Sequence, residues 1–392
     1  MEGTTAPAWV MTPPDLAAMV DALCARFDEV IAPVFVDGVI RLGPIDSADE
    51  LSTGVTDDQQ PGSYRATVAV TPTPGTGVTG EHRFSYAVGP DSLKAIVHPP
   101  RSPVWSMTRD DDGNVAVRVA PLRPVRRAVI GVRACDLAAL DRLGRTQLDG
   151  AHCDPHHAAA RAGLFLIGVD CSRPAATCFC ESTGTGPYVD HGADLSMTEL
   201  DGDGDGDDDD DDGVHYVVRA VSQQGRAFAE SLGLKSARPE EIADAERARR
   251  SVRTTGRAMP ADAASIVLAD LEHPRWDDVA ERCLTCGNCT AVCPTCFCTD
   301  MDDRIDLDGH TAHRDRVWDT CFSLEYSHLG PGPVRSSPRS RYRQWLTHKL
   351  GTWHDQFGES GCVGCGRCIT WCPVGIDLTA EVEVLARSGA AS

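Results

Sequence analysis

The sequence predicts an N-terminal domain of the α/β or α+β class followed by a mostly helical, cysteine-rich domain. Three observations carry this. RAVIGVRACD (127–136) and LFLIGVDCSR (164–173) are short apolar runs that each end at a cysteine, and DLAALDRLG (136–144) between them has helical spacing. Strand, helix, strand is the order of a parallel unit, whose functional residues gather at the carboxyl ends of its strands. The composition then shifts near residue 260, where PRWDDVAERCL (274–284) opens a helix with Pro in its first turn and leads straight into cysteines. With 392 residues the chain is long enough for two domains, placed at 1–260 and 261–392.

The elements follow in order. DLAAMVDALCARFDEV (15–30) is spaced as a helix with Asp15 in the capping position, and turn-rich, strand-like sequence continues to about 120. LSMTEL and VHYVVRAV flank a run of aspartates, so the acidic insertion at 199–213 is expected to be a long hairpin loop. Its alternating Asp-Gly pattern has no spaced Glu and is not an EF-hand loop. PEEIADAERARRSV (239–252) is a charged surface helix or linker. SRYRQWLTHKLGTW (340–353) places Tyr342, Trp345, Leu346 and Trp353 on one helical face, with Arg and Lys on the other.

The totals exclude several classes of function. The net charge is −21, and the nine aspartates within 201–212 account for enough of it to leave −12 elsewhere, a surface that repels nucleic acid and anionic membranes. No apolar run nears the ~18 residues that span a bilayer. The start, MEGTTAPAWVMTPPD, has neither a basic opening nor an apolar core, so no export signal is expected. Seventeen cysteines in such a chain, grouped as C-x-x-C and C-x-C, point to metal ligation in a reducing cytoplasm rather than to disulfides. Lysine is nearly absent, with only Lys94, Lys235 and Lys349; this carries no expectation about function.

Cys283, Cys286, Cys289 and Cys293 follow C-x2-C-x2-C-x3-C-P, and Cys362, Cys365, Cys368 and Cys372 repeat it. This is the spacing of bacterial ferredoxins, in which three thiolates of a tight loop reach one 4Fe–4S cluster and the fourth reaches the other. The crossed assignment is Cys283, Cys286, Cys289 and Cys372 on cluster 1, and Cys362, Cys365, Cys368 and Cys293 on cluster 2. Gly287, Gly364 and Gly366 permit close backbone approach and N–H groups directed at sulfur. Structural zinc uses separated cysteine pairs, and this spacing does not suit it. The 68 residues between Cys293 and Cys362 are helical in pattern, so an expanded, mostly helical dicluster ferredoxin is expected.

Nine cysteines remain. Cys171, Cys178 and Cys180 lie close in sequence, and Cys135 sits at the end of the neighbouring strand. A third cluster on these four is one reading; buried thiols packing as small apolar groups is the other. Cys296, Cys298 and Cys321 are three thiols without an evident fourth, and a packing role around the cluster loop is favoured over metal binding. Cys24 is a core candidate and Cys153 a surface thiol. HCDPHH (152–157) offers His152, His156 and His157, but is spaced as a loop rather than a metal site. STGTGP (182–187) is a turn beside the C-x-C pair. No G-x-G-x-x-G follows a strand, and no nucleophile or paired-carboxylate arrangement is visible, so no catalytic residue is named.

EVIAPVFVDGVI, IDSADELSTGVTDDQQPGSYR and FSYAVGPDSLKAIVHPP begin a longer match, continued by GVRACDLAAL, CFCESTGTGP, ERCLTCGNCTAVCPTCFC, WDTC, RYRQWLTHK and GCVGCGRCITWCPVGIDL. Together they make the chain resemble the beta subunit of cytoplasmic, NADP-linked nickel–iron hydrogenases (sulfhydrogenases). It is similar, more distantly, to the electron-transfer subunit of anaerobic sulfite reductase. The aspartate insertion and HCDPHH depart from the family pattern and touch no ligand. The resemblance implies a non-catalytic electron-transfer subunit of an oxidoreductase. Its implied partners are a flavin- and NAD(P)-binding gamma subunit, together with the hydrogenase small and large subunits. A sulfite-reductase relay is the alternative, and a zinc-stabilised interaction module is a third reading of another class.

Overall fold

A computed structural model describes residues 7–69, 81–122, 124–202, 213–254 and 256–389. Its centre is an eight-stranded mixed sheet. In spatial order the strands are Lys235–Ser236, Ala8–Met11, His215–Ala220, Leu195–Leu200, Leu164–Val169, Arg127–Val132, Glu29–Val36 and Val39–Pro44. Glu29–Val36, Arg127–Val132, Leu164–Val169 and Leu195–Leu200 run parallel to their neighbours in this series, and the flanking pairs are antiparallel. The two apolar runs are therefore adjacent parallel strands, joined through the helices Ala134–Gln147 and Pro155–Ala162.

Alternation along these strands builds two cores. Ala128, Ile130, Phe165 and Ile167 face Leu16, Met19, Val20 and Leu23 of the first helix. Val129 and Leu166 face Leu137, Leu140 and Leu143 on the other side. Each fully buried side chain of this kind contributes about 1.5–3 kcal/mol. The first helix, Pro13–Arg26, is capped by Thr12 and not by Asp15; Asp15 is the third helical residue and returns its carboxylate to the Thr12 backbone in a capping box.

The acidic insertion joins the antiparallel strands Leu195–Leu200 and His215–Ala220, as its flanks suggest; residues 203–212 lie outside the described residues. The helix Pro239–Ser251 is not merely a charged surface element. Its Arg249 is buried and pairs with Asp170 at 3.3 Å and Asp190 at 2.6 Å.

The C-terminal part, expected to be mostly helical, also contains strands. After the first cysteine run the chain forms a hairpin, Thr299–Ile305 with Thr311–Trp318, before the helix Pro338–Thr347. The second hairpin strand pairs with Arg101–Arg109, so one four-stranded sheet is shared between residues 101–119 and 299–318. Alternating charge in DMDDRIDLDGHTAHRDRV hid this strand pairing, because both faces of the hairpin carry ion pairs, Arg101–Asp315 on one and Arg314–Asp303 on the other. Among the described residues no helix is long and apolar enough to cross a membrane.

Candidate metal centre

Each ferredoxin-type run is built the same way. A residue with positive φ precedes the second cysteine (Thr285, +50°; Gly364, +62°), and a glycine with positive φ follows it (Gly287, +75°; Gly366, +74°). A single helical turn then begins, Asn288–Ala291 or Arg367–Thr370, and carries the third cysteine. These left-handed steps wrap three thiols round one loop, and they direct N–H groups at sulfur. Thr285 donates to Cys283 Sγ at 3.4 Å, Gly364 to Cys362 Sγ at 3.4 Å, and Ile376 to Cys372 Sγ at 3.3 Å. Gly364 and Gly366 also answer a packing need. A Cβ on either would lie 2.7 Å from the Cys180 backbone or 2.5 Å from the Thr177 carbonyl.

The fourth cysteines cross between the runs. Cys283 and Cys289 have Cys372 among their charged neighbours, and one cavity is lined by Cys283, Cys286, Cys289, Cys368 and Cys372. Cys362, Cys365 and Cys368 instead have Cys293 beside them. Burial raises the thiols of Cys283 and Cys289, pushes Cys362 up to about 11, and raises Cys365 and Cys368. Buried thiolates on this scale need a bound cation to persist. The donor set, its geometry and the N–H bonds to sulfur thus fit 4Fe–4S groups.

Buried charged residues complete the second site. Lys349 is 4% exposed and donates to Cys293 Sγ at 3.3 Å and Thr295 Oγ1 at 2.9 Å. A bond from Cys296, helped by the Lys349 ammonium, holds the Cys293 thiol well below its ordinary value. Lys94 is also buried; it donates to the Thr290 and Ala291 carbonyls at 3.1 and 2.9 Å and stacks over Trp318 at 3.9 Å. Arg367, 1% exposed, forks onto Asp136 at 2.9 Å and onto the Gly89 and Asp91 carbonyls. Two of the chain's three lysines therefore sit beside the cysteines. Their scarcity was the only signal in the sequence, since helical spacing gave Lys349 to a solvent face.

Cys135, Cys171, Cys178 and Cys180 do come together, and Cys365 of the second run joins them. A bulge at Gly131, where a Cβ would strike Pro33 at 2.5 Å, turns the strand end toward this group. Arg133, fully enclosed, ties the neighbouring strand ends through the Asp170, Phe84 and Tyr86 carbonyls. Burial pushes Cys180 up to about 12 and raises Cys135 and Cys178 well above their ordinary value. The same thiols pack as apolar groups, Cys135 and Cys180 against Val88, Ala139 and Val363. HCDPHH is not a histidine cluster: Asp154 caps the helix Pro155–Ala162, His157 is buried within it, and His152 is exposed. Cys24 is half-buried and Cys153 exposed.

Interleaved cysteine runs of this kind define a dicluster iron–sulfur protein, and residues 282–376 match the family model of the 4Fe-4S dicluster domain. The chain is also 29% identical, over 269 residues, to sulfhydrogenase 2 subunit beta of Pyrococcus furiosus; the match covers 66% of this chain and 72% of that one. Both findings bear out the resemblance carried by the sequence motifs. The chain is thus a homologue of a hydrogenase subunit and carries an iron–sulfur domain.

Proposed function

We propose that the chain is the electron-transfer beta subunit of a soluble, cytoplasmic, NADP-linked nickel–iron hydrogenase. Its partners would be a flavin- and NAD(P)-binding gamma subunit, together with the hydrogenase small and large subunits. The observation that carries this is the exchange of fourth cysteines, Cys372 beside the first run and Cys293 beside the second. It supports Cys283, Cys286, Cys289 and Cys372 as ligands of one cluster and Cys362, Cys365, Cys368 and Cys293 as ligands of the other. When bound, such clusters supply one-electron transfer. The chain's own residues hold sulfur through backbone N–H groups and offset its negative charge with Lys349. The similarity to a sulfhydrogenase subunit favours this over the sulfite-reductase reading.

Cys135, Cys171, Cys178 and Cys180 are proposed to hold a third cluster. Cys178→Ala with Cys180→Ala should then remove about four iron atoms per chain; an unchanged iron content would sink this site. Anaerobic affinity purification from the native host tests the function. Recovery of a flavin subunit with both hydrogenase chains, and hydrogen-dependent NADP+ reduction, is expected. Recovery of a sirohaem reductase subunit instead would overturn the hydrogenase assignment. The isolated chain should show iron–sulfur absorption that bleaches with dithionite and should have no hydrogenase activity.

A further inference from the structure

Cys296, Cys298 and Cys321 belong to none of these sets. The hairpin brings them together: Thr299 pairs with Trp318 across it, and the Asp319 N–H donates to the Cys298 carbonyl at 2.9 Å, which returns Cys321 beside the C-x-C pair. All three then line one cavity, as cysteines of the first ferredoxin-type run line another. Trp345 forms a wall of both. Lys349 lines this cavity too and donates to Cys293 Sγ, and Cys296 also bonds to Cys293, so the cavity adjoins a proposed ligand of the second cluster.

The chemistry of the cavity favours a charged sulfur-bound group. Its thiols are accompanied by an enclosed ammonium, and Tyr326 Oη lies 3.8 Å from Cys298 Sγ. Among the described residues no three such side chains converge on the position of a single ion. That applies equally to the ferredoxin-type cysteines, of which Cys283, Cys286, Cys289, Cys368 and Cys372 stand round a cavity. The arrangement therefore suits the corners of a cluster better than one zinc ion.

We infer that Cys296, Cys298 and Cys321 hold a further 4Fe–4S cluster through three thiolates, with its fourth iron left to an oxygen ligand, for which Asp319 lines the cavity. This rests on the iron–sulfur reading above and extends it: Thr290 of the first ferredoxin-type run lines the cavity and Cys296 bonds to Cys293, so the relay would have a branch between the hairpin and the helix Pro338–Thr347.

The test uses the full chain, purified and reconstituted without oxygen. Cys298→Ser with Cys321→Ser should lower iron and acid-labile sulfide by about four each per chain while the paramagnetic signals of the two ferredoxin-type clusters persist. Iron unchanged from the parent chain would overturn the inference, and so would loss of zinc in place of iron. Native mass spectrometry of a Cys178→Ser, Cys180→Ser chain provides a measurement that leaves this cavity untouched. Three Fe4S4 units are expected there; two would overturn the inference alone, and none would overturn the dicluster reading itself.

Discussion

Thr285 and Gly364 hold the same place in the two cysteine runs, one residue before the second cysteine. Both have positive φ, and both donate their N–H to the sulfur two residues back at 3.4 Å. Their surroundings differ. The first loop lies near solvent, with Cys286 exposed and Leu284 62% exposed. The second is enclosed: Gly364 accepts the Phe179 N–H at 2.8 Å, Thr185 Oγ1 donates to the Val363 carbonyl, and Arg367 reaches Asp136. One backbone thus serves an open site and a buried one, and the side chain at each matched position reports which. Threonine is tolerated where nothing presses on the loop, and glycine is needed where another chain segment lies against it. Likewise Asn288, exposed, stands where Arg367 is buried.

The largest test of this difference is Arg367→Met. It would leave the Asp136 carboxylate enclosed without its partner, at a cost of about 3–5 kcal/mol. Thermal unfolding should show a large fall in Tm, with preferential loss of iron from the second site. A cost under about 1 kcal/mol would mean that the second loop is no more tightly held than the first. Gly364→Ala comes next. An L-residue at φ +62° costs roughly 1–2 kcal/mol by itself, and the new Cβ would also press on the Phe179 and Cys180 backbone at 2.7 Å, which has no free end to move. Gly287→Ala meets only the Thr320 side chain, at 3.2 Å, and should cost the strain alone. Equal losses from the two substitutions would break the comparison.

Lys349→Met sharpens it electrically. A buried ammonium 3.3 Å from a ligand sulfur favours the more negative, reduced state of the group that Cys293 would hold. Its removal should lower that midpoint potential by about 60 mV, a tenfold shift for a one-electron couple, and leave the first cluster unmoved. Lys349→Arg should restore most of it. A redox titration followed by electron paramagnetic resonance resolves the two, and an equal shift in both clusters would refute a local role for this lysine.

The cysteine spacing made the eight candidate ligands legible, because the C-x2-C-x2-C-x3-C-P run is a local geometric device. The parallel strands at 127–132 and 164–169 were legible too, since burial on both faces leaves an unbroken apolar run. What the sequence concealed is non-local. Lys349 looked solvent-facing because its partner, Cys293, lies 56 residues away. The hairpin at 299–318 looked like part of a helical stretch, because ion pairs and a distant strand, Arg101–Arg109, hold it rather than an apolar face. Periodicity shows how a segment is buried against the average neighbour, and these residues have particular ones.

The smallest effect, and the only favourable one, is expected at Thr285. This non-glycine residue sits at φ +50° in the open loop, where a Cβ in the left-handed region is strained by roughly 1–2 kcal/mol. Thr285→Gly removes that strain and keeps the N–H bond to Cys283 Sγ, but it also loosens the unfolded chain, which offsets roughly 0.4–1 kcal/mol. A net gain of at most about 1 kcal/mol in unfolding free energy is expected, with cluster content unchanged. A loss of stability would show that the threonine side chain makes contacts that matter, and that the first loop is as closely packed as the second. A small gain would place the two loops at opposite ends of one design, the open one carrying strain that the enclosed one, with glycine, avoids.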